Sequence, residues 1–171
     1  HPFQLDTRGL GIVMRAALKR GARSCIIGIG GSATNDGGFG MARELGWRFL
    51  DRYGVEIQSW KDLSTLVRIE PPNDRNWPAR VGVAVDVRNP LLGRRGCTRI
   101  YGPQKGLRSQ DFPEAEGALR RLAHVARVQF RRDVASEPGA GAAGGLGFGF
   151  AAFVGARLMP GFEFIAQEAR L

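Results

Sequence analysis

Apolar positions along the chain switch between two periods. Leu10, Val13, Met14, Ala17 and Leu18 recur at helical spacing, which predicts a helix over 10–18 with Asp6 or Thr7 as its cap and Gly21 as its stop. Residues 25–29 form a short apolar run, long enough for a buried strand and too short for a helix. Met41, Ala42 and Leu45 restore helical spacing over 39–45. Residues 47–50, 55–57 and 66–69 read as short strands, with a turn at Tyr53-Gly54 and a short helix over 59–63 capped by Ser59. Residues 71–78 are polar and broken by proline, so they read as a surface connection. Residues 81–85 are apolar and rich in valine, and this strand run ends on Asp86. Residues 98–101 read as a brief extended piece and 102–106 as a loop. The clearest helix covers 112–130, where Leu119, Leu122, Ala123, Val125, Ala126 and Phe130 make one stripe. Asp111 is its candidate cap, and Pro113 sits in its first turn. Helices alternating with apolar strands predict an α/β fold.

Two glycine-rich tracts interrupt this pattern. Residues 139–156 carry no charge, and Gly141, Gly145 and Gly149 fall at every fourth position, which imitates a membrane helix. The run is mostly Gly and Ala, and Pro138, Arg157 and Pro160 bound it, so the better reading is a glycine loop opening a tightly packed internal helix. The other tract, 30–38, packs four glycines with Ser32, Thr34, Asn35 and Asp36 between a strand and a helix. Backbone amides in such a loop suit an anion. A Walker loop is excluded, because the tract has no lysine. The letters G-x-G-x-x-A from Gly28 to Ala33, with Asp51 downstream, fit a dinucleotide fingerprint. That fingerprint needs a helix from about Gly30, and Gly37-Gly38 would cost it about 1 kcal/mol each. A helix starting later, with the tract as a pocket wall, is the expectation.

Composition adds bounds. A chain of 171 residues suits one compact domain or a domain plus a piece, and 43% hydrophobic content is enough for a core. Two cysteines and two histidines do not make a zinc finger, and nothing suggests a disulfide framework, so a cytoplasmic location is expected. Cys25 reads as a small core residue and His124 as a partly buried structural histidine. The net charge of +9 is spread along the chain without a nucleic-acid motif. It reads as solvated surface with some attraction for anions, implying no specific nucleic acid and no membrane.

The tract Gly28-Ile-Gly-Gly-Ser-Ala-Thr-Asn-Asp-Gly-Gly38 resembles the signature of the bacterial glycerate kinase family. So do Asp86-Val-Arg-Asn-Pro-Leu-Leu-Gly93, Tyr101-Gly-Pro-Gln-Lys-Gly106 and Gly139-Ala-Gly-Ala-Ala-Gly-Gly-Leu-Gly147, in the same order and spacing. The resemblance implies phosphorylation of D-glycerate with ATP and magnesium. It also implies a two-domain kinase, with a Rossmann-like domain built from both chain ends and a second α/β domain inserted. This chain would cover mainly the inserted domain. The family's flanking Ala-Asp-Gly-Gly-Glu-Gly and Gly-Glu-Gly segments are not in this sequence, and it begins at His1, so a fragment of the family pattern is expected.

Phosphoryl transfer needs donors on the phosphates, a metal held by carboxylates, and a group that positions or deprotonates the acceptor. The candidates are the amides of Gly30, Gly31 and Ser32 with Thr34 and Asn35 for phosphate or substrate carboxylate. Asp36 is a candidate base or metal ligand, Asp86 a candidate magnesium ligand, and Lys105 a cation in a glycine-flanked loop. Each has a plainer alternative: Asp36 a helix cap, Asp86 a turn acceptor, Lys105 a solvated lysine. A nucleotide-binding oxidoreductase and a non-catalytic ligand-binding module remain as other readings. Oligomeric state is not legible.

Overall fold

The computed structural model describes residues 1–161. Residues 162–171, which read from the sequence as a helix start or strand, lie outside the described residues. Ten principal elements follow in order: α1 (Arg8–Lys19), β1 (Ser24–Gly28), α2 (Phe39–Glu44), β2 (Arg48–Leu50), β3 (Arg68–Glu70), β4 (Arg80–Ala84), α3 (Cys97–Tyr101), α4 (Phe112–Phe130), α5 (Ala142–Gly149) and β5 (Arg157–Met159). Four 3₁₀ turns stand between them, at Pro2–Gln4, Trp60–Thr65, Pro103–Lys105 and Ser109–Asp111.

The sheet that positions the site is parallel, in the order β1-β4-β5. Ser24 pairs with Arg80 and Gly28 with Ala84, while Gly82 pairs with Arg157 and Ala84 with Met159. The central strand carries the buried Val83, as its valine-rich run requires. An antiparallel ribbon of β2 and β3, Arg48 opposite Glu70, lies within the crossover from β1 to β4. These strands alternating with helices give the expected α/β class.

One core forms where α4 meets the Trp60–Thr65 turn, the ribbon and α5. It buries Leu119, Leu122, Val125 and Ala126 with Trp60, Leu63 and Leu66. Burial of each such leucine contributes about 1.5–3 kcal/mol. Phe49, Phe148 and Phe153 sit edge to face in it, with centroids 5.5 and 5.9 Å from Phe153. A second core lies under the parallel sheet, from Met14, Met41, Leu45, Val83, Leu146 and Phe150.

Several expectations need correction. Residues 98–101 are helical and not extended: Ile100 N–H donates to Gly96 and Gly102 N–H to Thr98, both at 3.1 Å. Burial of Cys97 and Thr98 outweighs the β-leaning letters of the run. Residues 55–57 make only a bridge, Leu50 to Glu56. Strand β5 was not legible in three residues beside a glycine run. Cys25 is half-buried because β1 is an edge strand with alternating burial. His124 is exposed on α4 and not packed into the core.

The 139–156 tract behaves as expected in kind. Ala143, Gly144 and Gly145 hold positive φ of 53°, 71° and 87°, and a regular helix runs only from Leu146 onward. A π-helical turn, Phe150–Val154, ends it. A Cβ on Gly149 would stand 2.7 Å from the Gly38 Cα, so the two glycine tracts touch backbone to backbone. No helix among the described residues is long and apolar enough to cross a membrane.

Candidate functional site

The cavity that collects the predicted chemistry opens beyond the carboxyl ends of β1 and β4, where parallel α/β sheets place ligands. Its volume is about 580 Å³. The 29–33 segment makes one wall, the 84–87 segment a second, and Tyr101, Gln104 and Lys105 a third, with Ala142 and Ala143 closing the fourth side.

The loop after β1 is not helical. Helix α2 begins only at Phe39, with Gly38 as its left-handed cap at φ 77°. The helix that the dinucleotide fingerprint needs from Gly30 is therefore missing. Asp51 is engaged in its own turn, accepting from Tyr53 and Val55 N–H at 2.8 and 2.9 Å. Instead the amides of Gly30, Gly31, Ser32 and Ala33 donate to no acceptor among the described residues, and Gly31 turns the chain at φ 72°. Four successive amides without an acceptor, on residues that line a cavity, are a backbone segment suited to an anion. Ser32 Oγ lies 2.8 Å from Thr34 Oγ1 and donates to the Ala143 carbonyl at 3.2 Å, which ties the loop to the second glycine tract.

Lys105 reaches in from the Pro103–Lys105 turn, and its Nζ donates to the Thr34 carbonyl at 2.7 Å. Burial lowers its pKa from the ordinary 10.5, while the negative charge of Asp36 works the other way. Lys105 thus lines the cavity half-buried, with its ammonium tied to the Thr34 carbonyl. Asp86 lies two residues beyond β4 and is exposed, with Oδ1 accepting from Gly161 N–H at 3.1 Å. It is the only carboxylate among the cavity's lining residues.

The other predicted residues stand behind this wall. Thr34 presents its carbonyl to Lys105. Asn35 is fully buried, donating through Nδ2 to Thr98 Oγ1 at 3.2 Å, and its Oδ1 has no partner. Asp36 is fully buried as well. Its Oδ2 accepts from Thr7 N–H, Thr7 Oγ1–H and Gly40 N–H at 2.8–2.9 Å, and its Oδ1 from Gly38 N–H at 3.1 Å. Burial pushes its carboxyl above the ordinary 3.8, and these hydrogen bonds pull it back. The carboxylate caps α2 and fastens the chain ahead of α1 to it.

Tyr101 and Gln104 also line the cavity and escaped the list of candidates, although both lie in the same short tract as Lys105. The Tyr101 hydroxyl donates to Asn89 Oδ1 at 2.7 Å, joining the wall of Lys105 to that of Asp86. Cys97, beneath them, is inert: burial pushes its thiol up to about 12.

The fold is a parallel α/β sheet with a lysine-bearing cavity past its strand ends, a setting suited to small anionic ligands. The chain belongs to the glycerate kinase family, whose model matches residues 1–171. It is 42% identical to a glycerate kinase of Halalkalibacterium halodurans over 98% of this chain and 45% of that protein. It is likewise 42% identical to glycerate 2-kinase of Escherichia coli K12, over 99% of this chain and 45% of that protein. A crystal structure assigned as glycerate kinase 2 from Salmonella typhimurium LT2 superposes with a TM-score of 0.89 at 39% identity, covering 99% of this chain and 46% of that one. The chain thus spans a little under half the length of these relatives.

Proposed function

We propose that the protein to which this chain belongs transfers the γ-phosphate of ATP to a hydroxyl of D-glycerate, and that the cavity described above holds the anionic end of the reacting pair. The observation that carries this reading is that residues Gly30–Ala33, whose amides have no acceptor among the described residues, and Lys105 line one cavity. Membership of the glycerate kinase family supplies the substrate pair. ATP use and a cytoplasmic location accord with that family and are part of the proposal.

Transfer of a phosphoryl group is mainly a matter of positioning and charge. In this reading the amides orient the carboxylate or phosphate oxygens, and Lys105 balances their charge in a partly dehydrated setting. Ser32 Oγ, which donates to the Ala143 carbonyl, holds the amide loop in place. Asp86 fits a magnesium ion shared with phosphates, because Mg²⁺ typically takes one or two carboxylates and completes its shell with phosphate oxygens and water. Its Oδ2 has no protein partner among the described residues. When bound, such an ion neutralises charge across the phosphates. Asp36 holds the amide loop and α2 in place, and its charge helps keep Lys105 protonated. We assign this chain mainly to the inserted domain of the two-domain kinase, with the remaining half of the protein supplying the rest of the site.

The test is ADP formation by the intact protein with ATP and magnesium, with and without D-glycerate. Release of ADP that depends on D-glycerate, with a phosphoglycerate as co-product, is expected. ATP hydrolysis indifferent to D-glycerate would remove the substrate assignment.

A further inference from the structure

A second cavity lies on the far side of the 86–92 segment, on the outer face of α4. Arg120, His124 and Arg127 fall at i, i+4 and i+7, so they share one helix face and form one wall. Asp133 and Ser136 stand opposite, and Pro90, Leu92, Ala123 and Ala135 make an apolar floor. None of these residues lines the cavity of Lys105.

Some of the neighbouring arginines are engaged. Arg132 pairs with Glu137 at 2.8 Å, and Arg121 donates to the Leu66 carbonyl. Arg120 and Arg127 have no ion-pair or hydrogen-bond partner among the described residues. The one acid in the wall, Asp133, accepts from Ala135 N–H at 3.1 Å and pairs with no cation among the described residues. Two guanidinium groups, an imidazole and a hydroxyl thus surround an apolar floor with no acceptor matched to them. Arginine forks suit phosphate oxygens. The volume of about 350 Å³ lies at the small end of ligand pockets. A long polyanion would need a continuous basic track, and Asp133 interrupts it.

We propose that this groove is a separate binding site for a small organic phosphate. Arg120 and Arg127 hold the phosphate, and Pro90, Leu92 and Ala135 cover the carbon skeleton.

The experiment titrates the intact, isotope-labelled protein with glycerol 3-phosphate and with inorganic phosphate, following backbone amide resonances of Leu92, Ala135 and Ser136. Saturable shifts are expected, with glycerol 3-phosphate binding the tighter of the two. Arg120→Gln with Arg127→Gln should weaken that binding at least tenfold at an unchanged melting temperature. Arg20→Gln with Arg23→Gln removes equal charge at the end of α1 and the start of β1, and should leave it unaltered. The proposal is overturned if the wild-type amides show no saturable shift or if both pairs of substitutions weaken binding equally. Equal affinity for the two probes, or tighter binding of a short oligonucleotide at these amides, would overturn it as well.

Discussion

Four donors converge on Asp36, and this decides what the residue can do. Its neighbours Thr34-Asn35 and Gly37-Gly38 made it look like a catalytic carboxylate, because glycine leaves room for a ligand. The room is filled from within: a Cβ on Gly37 would meet Leu119 at 2.9 Å, and one on Gly38 would meet Gly149. The missing information was the partner, Thr7, whose hydroxyl donates to Asp36 while accepting from Met41 N–H at 2.9 Å. Nothing in a lone threonine ahead of a helix announces that pairing. An asparagine at this position turns an amide donor toward at least one of these N–H groups. Asp36→Asn in the intact protein is therefore expected to lower stability by about 1–3 kcal/mol, read as a fall in melting temperature. A normal melting temperature with activity reduced a hundredfold would return Asp36 to the chemistry. Lys105, by contrast, lines the cavity, and in the proposed reading it attracts the substrate anion. Only its charged form attracts an anion, so glycerate affinity should be full below its pKa and fall as pH rises through it. Burial lowers that pKa from 10.5, so the fall should begin at lower pH than for an exposed lysine. KM for D-glycerate measured over about pH 8 to 11 checks this, and Lys105→Arg should flatten that limb, since arginine stays charged.

At the scale of elements, periodicity carried most of the information. The stripe of α4 and the valine run of β4 are where they were expected, because each buries its apolar face against a single core. Of the short elements β5 and α3 were not legible, since neither shows a period nor carries the apolar run that marked β1 and β4. The two glycine tracts were legible as special and not as partners. Their contact explains why the Gly141, Gly145 and Gly149 spacing resembles a helix-packing motif. Gly149 lies against Gly38, while Gly144 sits so close to the Thr34 carbonyl that a Cβ would overlap it. Gly149→Ala must push α5 away from the loop that carries the cavity amides. Overpacking of this kind costs about 1–3 kcal/mol. Thermal unfolding of the intact protein should show that loss, accompanied by weaker glycerate binding, because the displaced backbone is the cavity wall. An unchanged melting temperature would mean that the tracts are not in close contact.

For the molecule as a whole, the family motifs told more than charge or composition. The +9 net charge is scattered, and among the described residues many arginines are engaged locally, as Arg8 and Arg15 are with Glu44. The cavity past β1 and β4 is half of a site in the proposed reading, as a chain spanning about 45% of its relatives would have. Residues 1–171 expressed alone are thus expected to give no glycerate-dependent ADP release, since in the proposed reading the closure of two domains around the reactants is lost. Clear turnover from that piece would mean that the site is complete within it. The central claim is that the Lys105 cavity binds the reacting anion. It is tested most directly by Lys105→Met in the intact protein, with kcat/KM for D-glycerate measured beside the melting temperature. Removing a directed charge from such a site should lower kcat/KM about 10²–10³-fold while melting is little changed. Activity within a few-fold of the unaltered protein, at equal stability, would contradict it.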